Sequence, residues 1–308
     1  MIVKKLAIVV PVYNEEEVLE LFVNEVNNQT RNLPLEKIFY FVDDGSKDGT
    51  LEVLKRISSN KNIRYISFSR NFGKEAALLA GLKASEADFI TVMDVDLQDP
   101  PEMLNEMYKK ILDGYDIVGT RRVTRDGEPI IRSFFARIFY KLINKISSTE
   151  MVDGARDFRL MTRQVVDNLL LLRENNRFSK GLFSWVGFKV TYLEYENRER
   201  VAGHTSWNFL KLFRYSIDGI VNFSEVPLSI ATYVGFLSFI VSIILSIFFG
   251  IKTVVLGDSV QGFPTLVILL LLLGGLQLLS LGIIGKYIAK IFLETKKRPN
   301  YIIKESNF

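Results

Sequence analysis

Two carboxylates one residue apart, Asp94 and Asp96, stand in the run Asp94-Val95-Asp96-Leu97-Gln98-Asp99-Pro100-Pro101. With the amide of Gln98 they form a set of hard oxygen donors. Such a set suits a divalent cation, Mg2+ or Mn2+, that keeps coordination positions open for phosphate oxygens. The chemistry this points to is a metal-held nucleotide diphosphate acting as a leaving group. Taken alone, the pair has the composition of an acidic surface turn. Its setting separates the two readings.

The pair follows Phe89 to Met93, an apolar run of strand length. In an open α/β sheet, ligands bind beyond the C-terminal ends of the strands. Three other polar clusters occupy equivalent places. Leu6 to Val10 leads into Pro11-Val12-Tyr13-Asn14-Glu15. Ile38 to Val42 leads into Asp43-Asp44-Gly45-Ser46-Lys47-Asp48-Gly49-Thr50, and Ile63 to Phe68 into Ser69-Arg70-Asn71-Phe72-Gly73-Lys74. Helical spacing follows each strand, over Glu15 to Asn28, Thr50 to Ile57, Lys74 to Ala84 and Glu102 to Leu112, and Ile117 begins a fifth strand. This alternation predicts a mostly parallel sheet with helices on both faces. Turn formation or helix capping accounts for any one polar loop. Four in succession predict convergence on one crevice. Lys74, at the start of a helix, can favour an anion there.

Composition bounds the remainder. The chain has 308 residues, a net charge of +4, 48% hydrophobic residues, mean hydropathy +0.16 and no cysteine. Disulfides and thiolate metal sites are therefore excluded. Val226 to Ile251 and Ser259 to Gly285 carry no charge, and each exceeds the roughly 20 residues that span a bilayer. Spans are expected at about 228–251 and 263–285. Lys211 and Arg214 precede them, and Lys286, Lys290, Lys296, Lys297 and Arg298 follow. The positive-inside rule then puts both long ends of the chain in the cytoplasm and the short connecting loop outside. No N-terminal signal sequence is expected. The basic clusters suit anionic lipid and do not call for nucleic acid. A homo-oligomer is compatible with these features but not required by them.

Ile130 to Ile146 sets Ile131, Phe134, Phe135, Ile138, Phe139 and Leu142 on one face, with Arg132, Arg137, Lys141 and Lys145 among them. A helix of this kind can lie in the membrane interface. Trp207 to Val221 is similarly mixed. The expected organisation is a cytoplasmic domain over 1–205, a juxtamembrane amphipathic segment over 206–225, and two spans with a basic tail over 226–308.

The set PVYNEE, DDGSKDGT, RNFGKEAAL and DVDLQDPPE, followed by GTR and DFRL, resembles the family 2 glycosyltransferases of the GT-A fold. Within them it is similar to the polyprenyl-phosphate branch, the bactoprenol glucosyltransferases and dolichol-phosphate mannose synthase. The resemblance covers residues 8 to about 210, and the two spans match the bacterial type, which implies a bacterial-type inner membrane with the catalytic domain and both termini cytoplasmic.

The resemblance implies roles for particular residues. Asp94, Asp96 and Gln98 match the metal site. Pro11, Tyr13, Glu15, Asp43 and Asp44 match positions that hold the nucleotide, with Lys74 and Asp94 at its sugar-phosphate end. Arg121 matches an arginine suited to bidentate phosphate contact. Arg132 and Arg137 are the residues expected to grip a lipid phosphate, and Arg200 and Ser206 fall in an acceptor loop that also holds Gly203. His204, the only histidine, is read as a solvated loop residue. Asp157 matches an aspartate beside the acceptor, either a base or an orienting group. A lipid monophosphate is already largely ionised near pH 7, with a second pKa of about 6, so orientation matters more than deprotonation. Asp157 is alternatively expected to hold Arg159 or Arg121.

The function so implied is inverting transfer of a hexose, glucose from UDP-glucose first, to undecaprenyl phosphate at the membrane. Three alternatives stand beside it. One is the same reaction with UDP-N-acetylglucosamine, UDP-galactose or GDP-mannose. Another is a processive polysaccharide synthase, whose QxxRW motif and additional spans are missing here. The last is a non-catalytic scaffold or flippase component.

Overall fold

The computed structural model describes residues 3–122, 141, 143–147, 152–196, 217, 219–256 and 262–308. Strand and helix alternate through β1 (Lys5–Val12), α1 (Leu19–Gln29), β2 (Glu36–Asp43), α2 (Thr50–Ile57), β3 (Ile63–Phe68), α3 (Lys74–Ala84), β4 (Phe89–Val92), α4 (Met103–Leu112) and β5 (Ile117–Arg122). Then follow β6 (Ala155–Thr162), α5 (Arg163–Leu171), α6 (Ser179–Trp185), β7 (Val190–Tyr195), two long helices α7 (Val226–Leu256) and α8 (Phe263–Thr295), and a last strand β8 (Ile303–Ser306).

The strands form one sheet of eight in the order β7-β5-β6-β4-β1-β2-β3-β8. Strands β3, β2, β1 and β4 are parallel, as is the β5–β7 pair. β6 runs antiparallel to both of its neighbours, and β8 antiparallel to β3. The sheet is thus mixed, in the α/β class expected. Alternation along β1 shows why its sequence is uniformly apolar. Leu6, Ile8 and Val10 pack with Phe22, Leu54 and Leu104 on one face, while Ala7 and Val9 pack with Leu78, Leu82 and Val165 on the other. Both faces are covered, so Leu6 to Val10 are all fully buried.

Helix α3 lies unusually near the sheet. Its inward residues include Ala76, Ala77, Ala80 and Gly81. A Cβ at Gly81 would stand 2.3 Å from Cγ1 of Val9 and 3.2 Å from Cγ2 of Val42. This close approach fixes where the first residue of α3, Lys74, sits relative to the strand ends.

Two expectations change. The helix read from Glu15 starts at Leu19. Residues 14–16 are spent on the neighbouring loop. Asn14 Oδ1 accepts from Lys47 N–H at 2.9 Å, Glu16 Oε2 from Gly49 N–H at 2.7 Å, and Thr50 Oγ1 from Glu15 N–H at 2.9 Å. The second change concerns the basic tail, whose end returns to the sheet as β8. Asn307 Oδ1 accepts from Tyr65 N–H at 2.7 Å, Lys55 pairs with Glu305 at 2.6 Å, and Tyr301 stacks on Phe68 with centroids 4.9 Å apart. An otherwise open edge at β3 is covered by this strand.

Helices α7 and α8 hold 31 and 33 residues and leave Tyr233, Phe236, Leu237, Leu278 and Leu281 exposed. Both are long and apolar enough to cross a membrane, with candidate spans at Val226–Leu245 and Leu272–Thr295 beside the expected 228–251 and 263–285. The C-terminal end of α8 is tied to the α/β domain by polar contacts. Glu294 accepts from the backbone N–H groups of Asn175 and Asn176 at 2.9 and 3.1 Å, and Lys290 donates to Asn176 Oδ1 at 2.8 Å.

Candidate active site

β1, β2, β3 and β4 are parallel, so their C-terminal loops share one edge of the sheet. Antiparallel β6 brings its N-terminal end to the same edge. Val92 pairs with Arg159. Two residues on along β4 and two back along β6 place Asp94 opposite Asp157. Lys74 Nζ lies between them, 2.7 and 2.9 Å from Asp94 Oδ1 and Oδ2 and 2.6 Å from Asp157 Oδ2. Residues 20 and 83 positions from Lys74 thus meet at one ammonium group.

The electrostatics follow from this geometry. Burial alone lowers the Lys74 pKa, but Asp157 and Asp94 outweigh it and hold the group well above the ordinary lysine value. Burial likewise pushes Asp157 up. Lys74, then Lys180 and Arg159, overcome that and hold its carboxyl well below the usual carboxylate range. A carboxylate so stabilised in its ionised form is a poor proton acceptor at neutral pH. Lys74 is the hydrogen-bonded partner of the Asp157 carboxylate, and Arg159 adds favourable charge beside it. Arg159 donates to the Asp157 and Arg156 carbonyls, at 3.2 and 2.7 Å, and lies over the Phe183 ring at 3.7 Å. Arg121 donates to the Asp153 carbonyl at 3.1 Å and faces Glu194 at 3.8 Å. β6 turns the Asp157 carboxylate toward α3 and Lys74.

The nucleotide-side residues divide into two groups. Tyr13 stands 40% exposed at the mouth of the crevice, after Pro11 at the end of β1. Glu15 is half-buried beside Thr50. Asp43 is buried, accepting from Ser46 N–H at 2.9 Å and from the Ser67 hydroxyl at 2.7 Å. Asp44 turns to the third loop and accepts from Phe72 N–H at 2.6 Å and Gly73 N–H at 2.9 Å. Burial raises its pKa against those two hydrogen bonds. Asp44 thus anchors the loop that carries Lys74. The adjacent Gly45 has φ +68°, and a Cβ there would stand 2.4 Å from the Arg70 carbonyl carbon, so only glycine fits between the two loops.

The DxD segment is tightly held. Leu97 takes the left-handed conformation at φ 54°, and Gln98 N–H donates to Asp96 Oδ1 at 3.2 Å. Asp96 is 8% exposed. The donor set fits a hard divalent cation, and the ammonium on both Asp94 oxygens shows that this carboxylate is placed to hold positive charge. Among the described residues no three His, Cys, Asp or Glu side chains form a closed metal cage. Phosphate oxygens and water would complete the shell, as is usual for Mg2+.

Three features of this site were not expected from the sequence. The zip of Asn14, Ser46 and Glu16 between the first two loops is one. The pair formed by Asp99 and Arg156 is another, with Arg156 Nε 3.3 Å from Asp99 Oδ1. Glu75, half-buried next to Lys74, is the third and accepts from Ser179 N–H at 3.1 Å. The carboxylate of Asp99, just past the DxD and before two prolines, was the only local signal. A cavity of about 200 Å³ opens on the far side of α3 among Glu75, Asn175, Asn176 and Arg177, away from Asp94. Arg132, Arg137, Arg200, Ser206 and His204 lie outside the described residues.

Comparison with known proteins bears on this arrangement. The glycosyl transferase family 2 model matches residues 7–170. The Bacillus subtilis protein CsbB is 45% identical over 303 residues, covering 98% of this chain and 92% of that one. The bactoprenol glucosyl transferase of Shigella phage SfII is 41% identical over 304 residues, with 98% of each chain covered. An Escherichia coli K12 protein, named as a prophage bactoprenol glucosyl transferase homolog, is 42% identical over 301 residues, covering 97% of this chain and 98% of its own. Among solved structures, Mycobacterium tuberculosis glucosyl-3-phosphoglycerate synthase overlays with a TM-score of 0.45 at 19% identity, over 71% of this chain and 78% of that one.

Proposed function

The chain belongs to glycosyl transferase family 2, and from that premise we propose that it transfers glucose from UDP-glucose to undecaprenyl phosphate at the cytoplasmic face of a bacterial cell membrane. The observation that carries this reading is the meeting of Asp94, Lys74 and Asp157 at one crevice, in a chain whose apolar helices are bound to the same domain. The names of the relatives support the lipid acceptor and the sugar.

In this reading Tyr13, Glu15 and Asp43 receive the base and ribose. A divalent ion, Mg2+ or Mn2+, held by Asp94 and Asp96 with Gln98, would supply charge neutralisation for the departing diphosphate. Lys74 leaves Asp94 for a phosphate oxygen when that charge arrives, and Asp157 keeps its ammonium within reach. A phosphate oxygen of the acceptor attacks the anomeric carbon in line, with inversion. No proton need be removed from an acceptor ionised near pH 7. Asp157 therefore orients rather than deprotonates.

The domain assignment is part of the proposal: a catalytic domain over 1–205, the 206–225 segment at the membrane surface, and two spans. The return of β8 to the catalytic sheet after α8 supports an even number of crossings, because both ends of the helical hairpin then stay on one side. Membranes containing the protein, offered radiolabelled UDP-glucose, UDP-N-acetylglucosamine, UDP-galactose and GDP-mannose, test the reading by mass spectrometry of the lipid product. A hexosyl polyprenyl phosphate formed from UDP-glucose is expected. Polymer formation, or donor hydrolysis with no lipid product, refutes it.

A further inference from the structure

Beneath the DxD segment lies a carboxylate to which the chemistry above gives no task. Asp99 is 1% exposed. Its Oδ1 accepts from the Tyr195 hydroxyl at 2.6 Å and from Arg156 Nε at 3.3 Å, and its Oδ2 is buried without a hydrogen bond. Burial raises the Asp99 pKa, and Arg156 draws it back down. Burying a carboxylate whose second oxygen has no partner is costly, and ion pairs of this type contribute little net stability. Stability alone gives poor reason for the arrangement.

Arg156 shows what the arrangement achieves. The Asp99 carboxylate grips only Nε of its guanidinium fork. Nη2 reaches Gln98 Oε1 at 3.4 Å, long for a hydrogen bond, and Nη1 has no partner among the described residues. The side chain is 26% exposed, so the fork is held from behind but remains open to the crevice. Asp94 and Asp157 also act on its charge. An arginine with a fixed stem and an unused Nη1, in contact with Gln98 of the DxD segment, is a preorganised receptor for a tetrahedral oxyanion.

We propose that Arg156, pinned by Asp99 and Tyr195, is a phosphate-binding residue of this crevice and exchanges its weak Gln98 contact for a phosphate oxygen when ligand enters. The inference rests on the glycosyltransferase reading. Two phosphates enter such a site, the donor diphosphate and the acceptor monophosphate, and they present the same chemistry to a guanidinium.

The test uses the full chain in detergent, with inorganic pyrophosphate and Mn2+ as the first probe, measured by calorimetry. The variants are Arg156→Lys, which keeps the charge beside Asp99, and the charge-neutral pair Asp99→Asn with Arg156→Gln. The pair should weaken pyrophosphate binding about tenfold to a hundredfold, and Arg156→Lys should recover part of the loss. Two further arms separate the sources. A matching loss of UDP affinity assigns Arg156 to the donor. Unchanged UDP affinity, with a raised half-saturating concentration of polyprenyl phosphate, assigns it to the acceptor. Both outcomes uphold phosphate binding. Wild type that binds pyrophosphate but not UDP refutes the donor assignment while leaving the Arg156 proposal standing. Pyrophosphate binding that is absent from wild type, or undiminished in Arg156→Lys and in the neutral pair, overturns the proposal. Should the neutral pair fail to fold, Arg156→Lys alone decides.

Discussion

Replacing Lys74 with methionine should tighten the binding of a divalent cation while lowering turnover. In the structure the ammonium occupies both oxygens of Asp94, so an incoming metal ion competes with it. A unit charge pair near 4 Å, at an effective dielectric constant of about 20, is worth about 4 kcal/mol. The Lys74 side chain keeps 40% of its surface exposed, and solvent screening reduces that value to about 1–2 kcal/mol. Removing the competitor should therefore raise Mn2+ affinity about fivefold to thirtyfold. Methionine retains most of the length and packing of the stem, so α3 should hold its place. Turnover should fall at least about tenfold, since a charge-assisted contact to the diphosphate is lost and Asp157 loses its partner. Free Mn2+ is read from its electron paramagnetic resonance signal during titration of the detergent-solubilised protein, alongside the initial rate. Mn2+ affinity equal to or below that of wild type would refute the reasoning, because Lys74 would then assist the metal site rather than compete for it.

Asp96→Asn should keep the fold and remove most activity, with excess EDTA doing the same to wild type; full turnover under chelation would remove the metal from the scheme. The pH dependence separates the two roles open to Asp157. Its lowered pKa gives stability that is present above the ordinary carboxylate value of about 4 and lost only as pH falls through the still lower folded value. The contribution of Lys74 is full below its ordinary value of about 10.4 and is lost only as pH rises through the higher folded one. Neither group titrates between about pH 5 and 9, so the acid limb of kcat/KM should lie near pH 6, follow the acceptor phosphate, and persist in Asp157→Asn. Disappearance of that limb in the variant would restore Asp157 as the base. Gly45→Ala should cost about 2–4 kcal/mol through its positive φ and its approach to Arg70, lowering Tm by several degrees in a thermal melt. Because the chain has no cysteine, single cysteines report orientation cleanly: Gly262→Cys should react with an impermeant thiol reagent on intact cells, and Ser59→Cys only after permeabilisation. The reverse pattern would place the catalytic crevice outside.

The parts of this protein legible in the sequence are those set by local periodicity. Apolar runs of strand length, each followed by helical spacing, gave β1 to β4 and their helices within a few residues, because burial on both faces imposes a continuous apolar strand. Long uncharged runs gave α7 and α8, since length and apolarity alone satisfy the membrane criterion. The DxD pair and the neighbouring polar loops were visible because parallel strands deliver their loops to one edge. Contacts between distant segments were not visible. Asp157 meets Lys74 because β6 enters antiparallel, and nothing in the residues around Asp157 signals that direction. The union of Asp99, Arg156 and Tyr195 depends on β6 and β7 flanking β5, and the return of β8 depends on an open edge at β3. Sequence determined which side chains were present, which segments up to β5 were strands and helices, and where the two long apolar helices lie. Tertiary structure decided which charges became partners, because an ion pair is fixed by distance in space and by sheet register, and neither is written in the local pattern.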